Sequence, residues 1–216
     1  DRFKFVDDLS FLEIIYLLNV GLSSYNIRAH VASNVPTHNK VVSCENLKSQ
    51  HQLESINDWT KERKMRLNEK KTKSMIFNFS KKYQFHTNLK VNNSNIDMVS
   101  ETKLLGTVIT DRLTWDRNTE ELVKRGYKRM QLLNAAATYT SAKSDLKDIY
   151  LTSIRSVLEQ SAVVWHSSLT KKNRQDLERV QKAAVRVIMG QSYSTYKNGL
   201  KFLKLDTLEK RRELLC

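Results

Sequence analysis

Near its start the chain reads Phe3-Lys4-Phe5-Val6-Asp7-Asp8-Leu9-Ser10-Phe11. Two adjacent aspartates separate two short apolar runs, a pattern that predicts a strand, a tight turn and a return strand over residues 2–6 and 9–15. The apolar flanks would anchor the two carboxylates on a sheet. Aspartate is also a common turn residue, so the pair by itself fits an ordinary solvated turn better than a functional site. The rest of the chain has to decide between these interpretations.

Further segments follow the aspartate pair in a definite order along the chain. In sequence they are Phe5-Val6-Asp7-Asp8; Trp59 with Met65-Arg66-Leu67-Asn68-Glu69-Lys70-Lys71-Thr72-Lys73-Ser74-Met75-Ile76-Phe77; Lys103-Leu104-Leu105-Gly106-Thr107-Val108-Ile109; Leu113-Thr114-Trp115; Leu158-Glu159-Gln160-Ser161-Ala162-Val163-Val164-Trp165; and Arg179-Val180-Gln181-Lys182-Ala183-Ala184. Together they resemble the reverse transcriptases of non-LTR (LINE-type, jockey-like) retrotransposons. In that family the first segment is the palm hairpin, the third is the primer grip, and the fourth leads into the thumb.

The resemblance implies an RNA-directed DNA polymerase that uses Mg²⁺, with an RNA template and a DNA primer as partners. Asp7 and Asp8 would be metal-binding catalytic residues, with Asp7 the essential ligand. Lys71 would be the catalytic proton donor to the leaving pyrophosphate, with Lys70 as the alternative, and such general acid catalysis contributes about 10²–10⁴-fold. The family's other metal-binding aspartate would lie before Asp1. We therefore expect a C-terminal palm and thumb fragment that is inactive alone.

The charge of the chain points to a polyanionic partner. It has 216 residues with 37 Lys and Arg against 23 Asp and Glu, a formal net charge of +14. Residues 1–110 carry 16 basic and 11 acidic side chains (net +5), and residues 111–216 carry 21 and 12 (net +9). Nucleic acid is the most plausible partner for such an excess, and a generally basic soluble protein is the alternative.

Composition also excludes several classes of protein. Hydrophobic residues make up 40% of the chain, enough for a core, yet no apolar run approaches the roughly 18 residues of a membrane span. Cys44 and Cys216 form neither a disulfide framework nor a zinc-binding spacing. No secretory signal is legible at the start. We expect an intracellular protein, nuclear or cytoplasmic, that is not secreted and has no membrane partner; its oligomeric state is open.

Hydrophobic spacing predicts an α+β fold in two parts. Residues 1–110 should form a partial polymerase palm, a small antiparallel sheet with helices. Its expected elements are a helix over about residues 45–66 with Leu53, Ile56 and Trp59 on the buried side, a strand over 73–79, a hairpin around the Asn-rich turn of 89–96, and a strand over 104–110. Residues 111–216 should form an all-helical, thumb-like domain.

Three helix faces and one helix start are predicted in the second part. The first face should pack closely at Gly126, and the last helix should begin at the Asp206-x-x-Glu209 spacing. The expected apolar faces are Leu122, Met130, Leu133 and Ala137; Leu146, Tyr150, Ser153, Val157, Ser161 and Val164; and Leu177, Val180, Ala184 and Val187.

Basic side chains at helical spacing are the candidate nucleic-acid contacts. They form two clusters, Lys124, Arg125, Lys128 and Arg129, and Arg179, Lys182 and Arg186, and the primer-grip resemblance adds Lys103, Leu105 and Gly106. A further basic run covers residues 61–73. Solvated helix faces are the alternative for each cluster, but few acidic partners stand at i,i+4.

Three functions remain open at this point. The chain is a piece of a polymerase that is catalytic only within a longer protein, a non-enzymatic basic nucleic-acid-binding module, or an inert remnant of a mobile element.

Overall fold

The structure is a computed structural model. It describes residues 47–77, 79, 83–140 and 142–216, together with four short strands earlier in the chain; side chains are described over 49–77, 79, 87–140 and 142–216. Asp7, Asp8 and the turn predicted around them lie outside the described residues. The fold is mixed α+β. The chain divides into two compact units, Asp1–Leu104 with Thr110–Leu113, and Leu105–Ile109 with Thr114–Cys216.

In its described residues, the first unit holds one helix and many short strands. The helix is α1 (Leu47–Glu62). The strands are β1 (Lys4–Phe5), β2 (Ile15–Tyr16), β3 (His30–Val31), β4 (Lys40–Ser43), β5 (Met65–Arg66), β6 (Lys73–Ser74), β7 (Ile76–Phe77), β8 (Tyr83–His86), β9 (Lys90–Val91), β10 (Ser94–Asn95), β11 (Asp97–Met98) and β12 (Glu101–Leu104).

The strands of this unit pair in small, separate sheets. β1 pairs with β5, β2 with β7, β4 with β8 and β6 with β11, all in parallel. β3 pairs with β4, and β9 with β10, in antiparallel fashion. The expectation of one small antiparallel sheet is therefore wrong for the described strands. Parallel pairing requires a long crossover between the strands, and α1 lies in the connection from β1 to β5.

The predicted hairpin around an Asn-rich turn is confirmed. β9 and β10 are joined by Asn92 and Asn93, whose φ angles are 45° and 66°. Two successive positive φ angles are what a two-residue hairpin turn of type I′ requires, and Asn tolerates them. Asn57 Nδ2 in α1 donates to Asn92 Oδ1 at 2.9 Å. The small core beneath this hairpin consists of Leu53, Leu67, Leu89, Val91 and Ile96.

The predicted burial of Trp59 is wrong, because its side chain is 44% exposed. The buried positions of α1 are Ser49, Leu53, Asn57 and Thr60, which follow the 3.6-residue period of the helix. Leu53, Ile56 and Trp59 are spaced by three residues, less than one helical turn, so Ile56 and then Trp59 lie progressively further around the helix from the buried positions. Arg63 instead covers the exposed ring, with its guanidinium carbon 4.6 Å from the ring centre.

The second unit is almost entirely helical. After β13 (Thr107–Thr110) come α2 (Asp116–Tyr139), α3 (Lys143–Ile149), a π-helical turn (Tyr150–Arg155), α4 (Ser156–Leu158), α5 (Ala162–Trp165), α6 (Lys171–Met189), α7 (Tyr196–Leu203) and α8 (Leu208–Leu215). Short 3-10 turns follow α5 (His166–Ser168) and α6 (Gly190–Ser192). No helix in the described part of the chain is both long and apolar enough to cross a membrane.

Close packing at Gly126 is confirmed. A Cβ atom built there would lie 3.0 Å from Leu158 Cδ2 and 3.0 Å from Val180 Cγ1. Leu122 and Leu133 of the same α2 face are buried, as are Leu177, Val180 and Ala184 of the predicted α6 face. The core of this unit therefore lies where α2, α4 and α6 meet.

The continuous helix face predicted from Leu146 to Val164 is wrong at its end. α4 ends at Leu158, Ser161 adopts a left-handed φ of 54° just before α5, and Val164 is 58% exposed. The indole Nε1 of the buried Trp165 donates to Gln160 O at 2.9 Å and closes this break.

The start of the last helix lies one residue from the predicted cap. Thr207, not Asp206, caps α8, because its hydroxyl oxygen accepts a hydrogen bond from Lys210 N at 3.3 Å. The carboxylate of Asp206 pairs with Lys210 Nζ at 2.8 Å. Thr170 and Thr195 cap α6 and α7 in the same way.

Candidate nucleic-acid interface

The turn between β12 and β13 projects a leucine into solvent. Leu105 and Gly106 have φ angles of 47° and 84°, the left-handed region that a two-residue hairpin turn demands. Glycine adopts this region freely, but leucine does so at a cost. The Leu105 side chain is 86% exposed, so no packing of its own holds the turn in place.

Two side chains from the helices bind this turn. Gln160 Nε2 donates to Leu105 O at 3.1 Å, and Arg125 Nη2 donates to Gly106 O at 3.3 Å. Arg125 Nη1 also donates to Gln160 Oε1 at 2.9 Å, which joins the two side chains to each other. We call this set, Arg125, Gln160 and the turn Leu105-Gly106, the turn clamp.

A side chain at position 106 would also displace the amide of Gln160. A Cβ atom at this position would lie 2.4 Å from Gln160 Nε2, too close for any real contact. The amide of Gln160 can reach Leu105 O only because residue 106 has no side chain.

The surroundings of the clamp are themselves fixed. Glu159, next to Gln160, pairs with Arg211 Nε at 2.8 Å and with Arg155 Nε at 3.8 Å. On the other side of the turn, Val108 N donates to the buried Asn118 Oδ1 of α2 at 3.1 Å. The turn is thereby tied to α2 on one side and to the end of α4 on the other.

The first basic cluster is split between internal and outward roles. Arg125 belongs to the turn clamp, and Arg129 Nη1 donates to Ser153 O of the π-helical turn at 2.7 Å. Lys124 and Lys128 are exposed, and neither has a hydrogen bond or ion pair within the described part of the chain. These two lysines are the members of the cluster whose side chains have no such partner among the described residues.

The second basic cluster is also partly engaged. Arg179 Nη1 pairs with Asp176 Oδ1 at 2.6 Å, and Arg186 stacks over Tyr193 with its guanidinium carbon 5.4 Å from the ring centre. Lys182 is exposed and has no hydrogen-bonding or ionic partner among the described residues.

The structure does not bring the two clusters together. Gly126 of α2 faces Val180 of α6, so these positions mark the inner sides of the two helices. Helical spacing places Lys124 and Lys128 nearly opposite Gly126, and Lys182 nearly opposite Val180. The two sets of lysines therefore point away from each other, on opposite sides of the α2–α6 pair.

Lys71 lies on an ordered turn in the first unit. Its backbone N–H donates to Asn68 O at 3.1 Å and to Asn68 Oδ1 at 3.2 Å, while its side chain is exposed. Hydrogen bonds from Asn92, Ser94 and Arg66, in that order, lower the pKa of the nearby Glu69 carboxyl. Lys70 and, on β12, Lys103 are exposed in the same unit.

The predicted metal site cannot be placed on this fold, because Asp7 and Asp8 lie outside the described residues. Among the residues that are described, no three or more His, Cys, Asp or Glu side chains gather in a metal-binding arrangement. Mg²⁺ binding stays a prediction.

Two polar groups in the helical core could not be predicted from the sequence. Gln181 accepts a hydrogen bond from Tyr150 OH and donates to Tyr196 OH at 2.7 Å. Arg212 is fully buried, and its Nε donates to Nδ1 of the buried His166. Burial, and then the Arg212 charge, lower the pKa of His166. A hydrophobic period cannot reveal such pairs, because their members are 31 and 46 positions apart.

No protein-family model, curated protein or solved structure matches this chain.

Proposed function

We propose that the helical unit is a thumb-like module that binds duplex nucleic acid without sequence preference. The observation that carries the proposal is the outward pair Lys124 and Lys128, two exposed cations on adjacent turns of α2 that lack acidic partners among the described residues. Cations spaced in this way contact phosphates and do not recognise the bases.

The charge of the region supports the same conclusion. Residues 111–216 carry 21 basic and 12 acidic side chains, net +9. The exposed Leu105 turn belongs to the same unit and is held to α2 through Arg125. A projecting turn beside a basic helix face suits the backbone of a template–primer duplex, which is the ligand implied by the resemblance to non-LTR reverse transcriptases.

We propose further that the parent activity is RNA-directed DNA synthesis. The support is the order of the motifs from Asp7-Asp8 to the thumb segments, and the exposed position of Lys71 on its Asn68-ordered turn. Asp7 and Asp8 would hold Mg²⁺, which prefers carboxylates together with substrate phosphates. Lys71 would donate a proton to the pyrophosphate. The first alternative, a non-enzymatic module, would bind nucleic acid without any part in DNA synthesis. The second alternative, an inert remnant, would neither bind nucleic acid nor belong to an active polymerase.

Salt titration of binding tests the first proposal. The purified chain is mixed with fluorescein-labelled RNA–DNA hybrids of unrelated sequence, and anisotropy is followed as KCl rises. We expect the hybrids to bind equally, with log K falling linearly against log salt by about 0.9 for each phosphate contacted. Affinity that is insensitive to salt, or confined to one sequence, contradicts a phosphate-binding thumb.

A further inference from the structure

We infer that Gln160, oriented by Arg125, is a positioning residue that holds the Leu105-Gly106 turn in the conformation used for binding. The inference deepens the proposed function and rests on it. It assigns a role to a side chain that carries no charge and that lies 55 positions from the turn it contacts.

The turn needs outside support. Leucine at a φ of 47° is in a region that L side chains rarely occupy, and 86% exposure means that packing does not compensate for it. The two carbonyl groups of the turn both point to donors on the helices, namely Gln160 Nε2 and Arg125 Nη2. Without these donors, the turn would relax toward conformations with negative φ at residue 105.

The network also defines which way the Gln160 amide faces. Its oxygen accepts from Arg125 Nη1 at 2.9 Å, so its nitrogen must face Leu105 O. Arg125 is thus an orienting group, and the donor that reaches Leu105 is the neutral amide. An apolar side chain of similar length at position 160 would remove this donor without changing the charge of the surface.

A turn that is correctly shaped for only part of the time binds with an affinity reduced by that fraction. Losing the clamp should therefore weaken binding without removing any phosphate contact. The loss of one hydrogen bond of average strength corresponds to about a fivefold reduction. The slope of log K against log salt should stay unchanged, because that slope counts phosphates and not turn geometry.

The test compares the unmodified chain with Gln160→Met, using the labelled RNA–DNA hybrid and hydrogen exchange of the peptide spanning residues 103–110. We expect faster exchange in that peptide, about fivefold weaker binding and an unaltered salt slope, with the melting temperature of the chain preserved. In Leu105→Asn combined with Gln160→Met, slow exchange should return, because Asn tolerates positive φ without a clamp. Gln160→Glu is a second probe, since it keeps an acceptor for Arg125 but has no donor for Leu105 O, and it too should speed exchange.

Each outcome decides the matter. Unchanged exchange and affinity in Gln160→Met, with binding intact in the unmodified chain, overturn the positioning role and leave the proposed function standing. If the unmodified chain shows no salt-dependent binding, the proposed function fails and the inference fails with it. If exchange in Leu105→Asn with Gln160→Met stays as fast as in Gln160→Met alone, the strained turn is not what the clamp supports.

Discussion

Val180 Cγ1 of α6 lies 3.0 Å from the place that a Cβ atom would take at Gly126 of α2. This approach leaves no room for a branched side chain, and Leu158 Cδ2 closes the other side at 3.0 Å. Gly126→Val should therefore lower the free energy of unfolding by about 1–3 kcal/mol, the usual cost of overpacking a core. Urea denaturation followed by circular dichroism measures it.

Ala135→Val is the matched control for this substitution. Ala135 is exposed on the same helix, so valine there carries only its lower helix propensity, about 0.5 kcal/mol. Because valine has a higher helix propensity than glycine, propensity alone would make Gly126→Val slightly stabilising. The absence of a loss in Gly126→Val would therefore mean that the contact of α2 with α6 does not decide the effect.

Tyr150→Phe should destabilise the helical unit because it leaves a buried polar group without its hydrogen-bond donor. The loss of side-chain volume is small by comparison. Tyr150 OH is the donor to Gln181 Oε1 in a fully buried position, and burial raises the pKa of this phenol, so the hydroxyl stays protonated to donate. Phenylalanine would leave the Gln181 oxygen without this donor, at a cost of about 1–3 kcal/mol.

Tyr127→Phe provides the comparison, because Tyr127 lies on α2 with 45% of its surface exposed. Its hydroxyl has no hydrogen-bond partner among the described residues, and we expect a change in unfolding free energy below about 0.5 kcal/mol. Chemical denaturation of both variants at neutral pH separates the two cases.

The stability of the unit should fall on mild acidification because of His166. Burial, followed by the Arg212 charge, lowers the pKa of His166 in the folded chain. The unfolded chain binds a proton near pH 6.5 while the folded chain still resists it, so unfolding becomes easier as the pH falls below about 6.5. Above that value the His166 contribution is fully present.

His166→Asn should flatten this pH dependence. Asn offers an oxygen acceptor to Arg212 Nε but does not titrate, so its unfolding free energy should change less between about pH 7.5 and about pH 5.5. The measurement is urea denaturation at both values. An identical pH profile in both proteins would assign the acid sensitivity to other groups.

Local signals were sufficient for parts of the fold. The buried residues of α6 recur with the helical period over 19 residues, so Leu177, Val180 and Ala184 could be predicted together. The Asn92-Asn93 turn could also be predicted, since two Asn residues between short apolar segments favour two positive φ angles. The coarse α+β class follows from these elements.

The turn clamp could not be predicted, because its residues are far apart in sequence and follow no period. Gln160 lies at a helix break that contains no Gly or Pro. The positive φ of the exposed Ser161 and the hydrogen bond from Trp165 Nε1 to Gln160 O have no counterpart in the local sequence pattern. The burial of Trp59 could not be predicted for a different reason, since steps of three imitate a helix face over two intervals and then leave it.

The two basic faces of the helical unit should differ in their contribution to binding. Lys124 and Lys128 lie on the helix that holds the Leu105 turn through Arg125, whereas Lys182 lies on the far side of the α2–α6 pair. A straight duplex seated against one side cannot touch the other. We therefore expect Lys124→Ala with Lys128→Ala to flatten the log–log salt slope by about two units, since each contact contributes about 0.9.

Lys172→Ala with Lys182→Ala is the matched control, because it removes the same charge from exposed positions on α6. Its slope should stay near that of the unmodified chain, although affinity will weaken slightly through the lower overall charge. Circular dichroism confirms that both variants keep their helices. A larger change in slope from the α6 pair would place the duplex against α6, and equal small changes from both pairs would mean that these lysines are merely solvated.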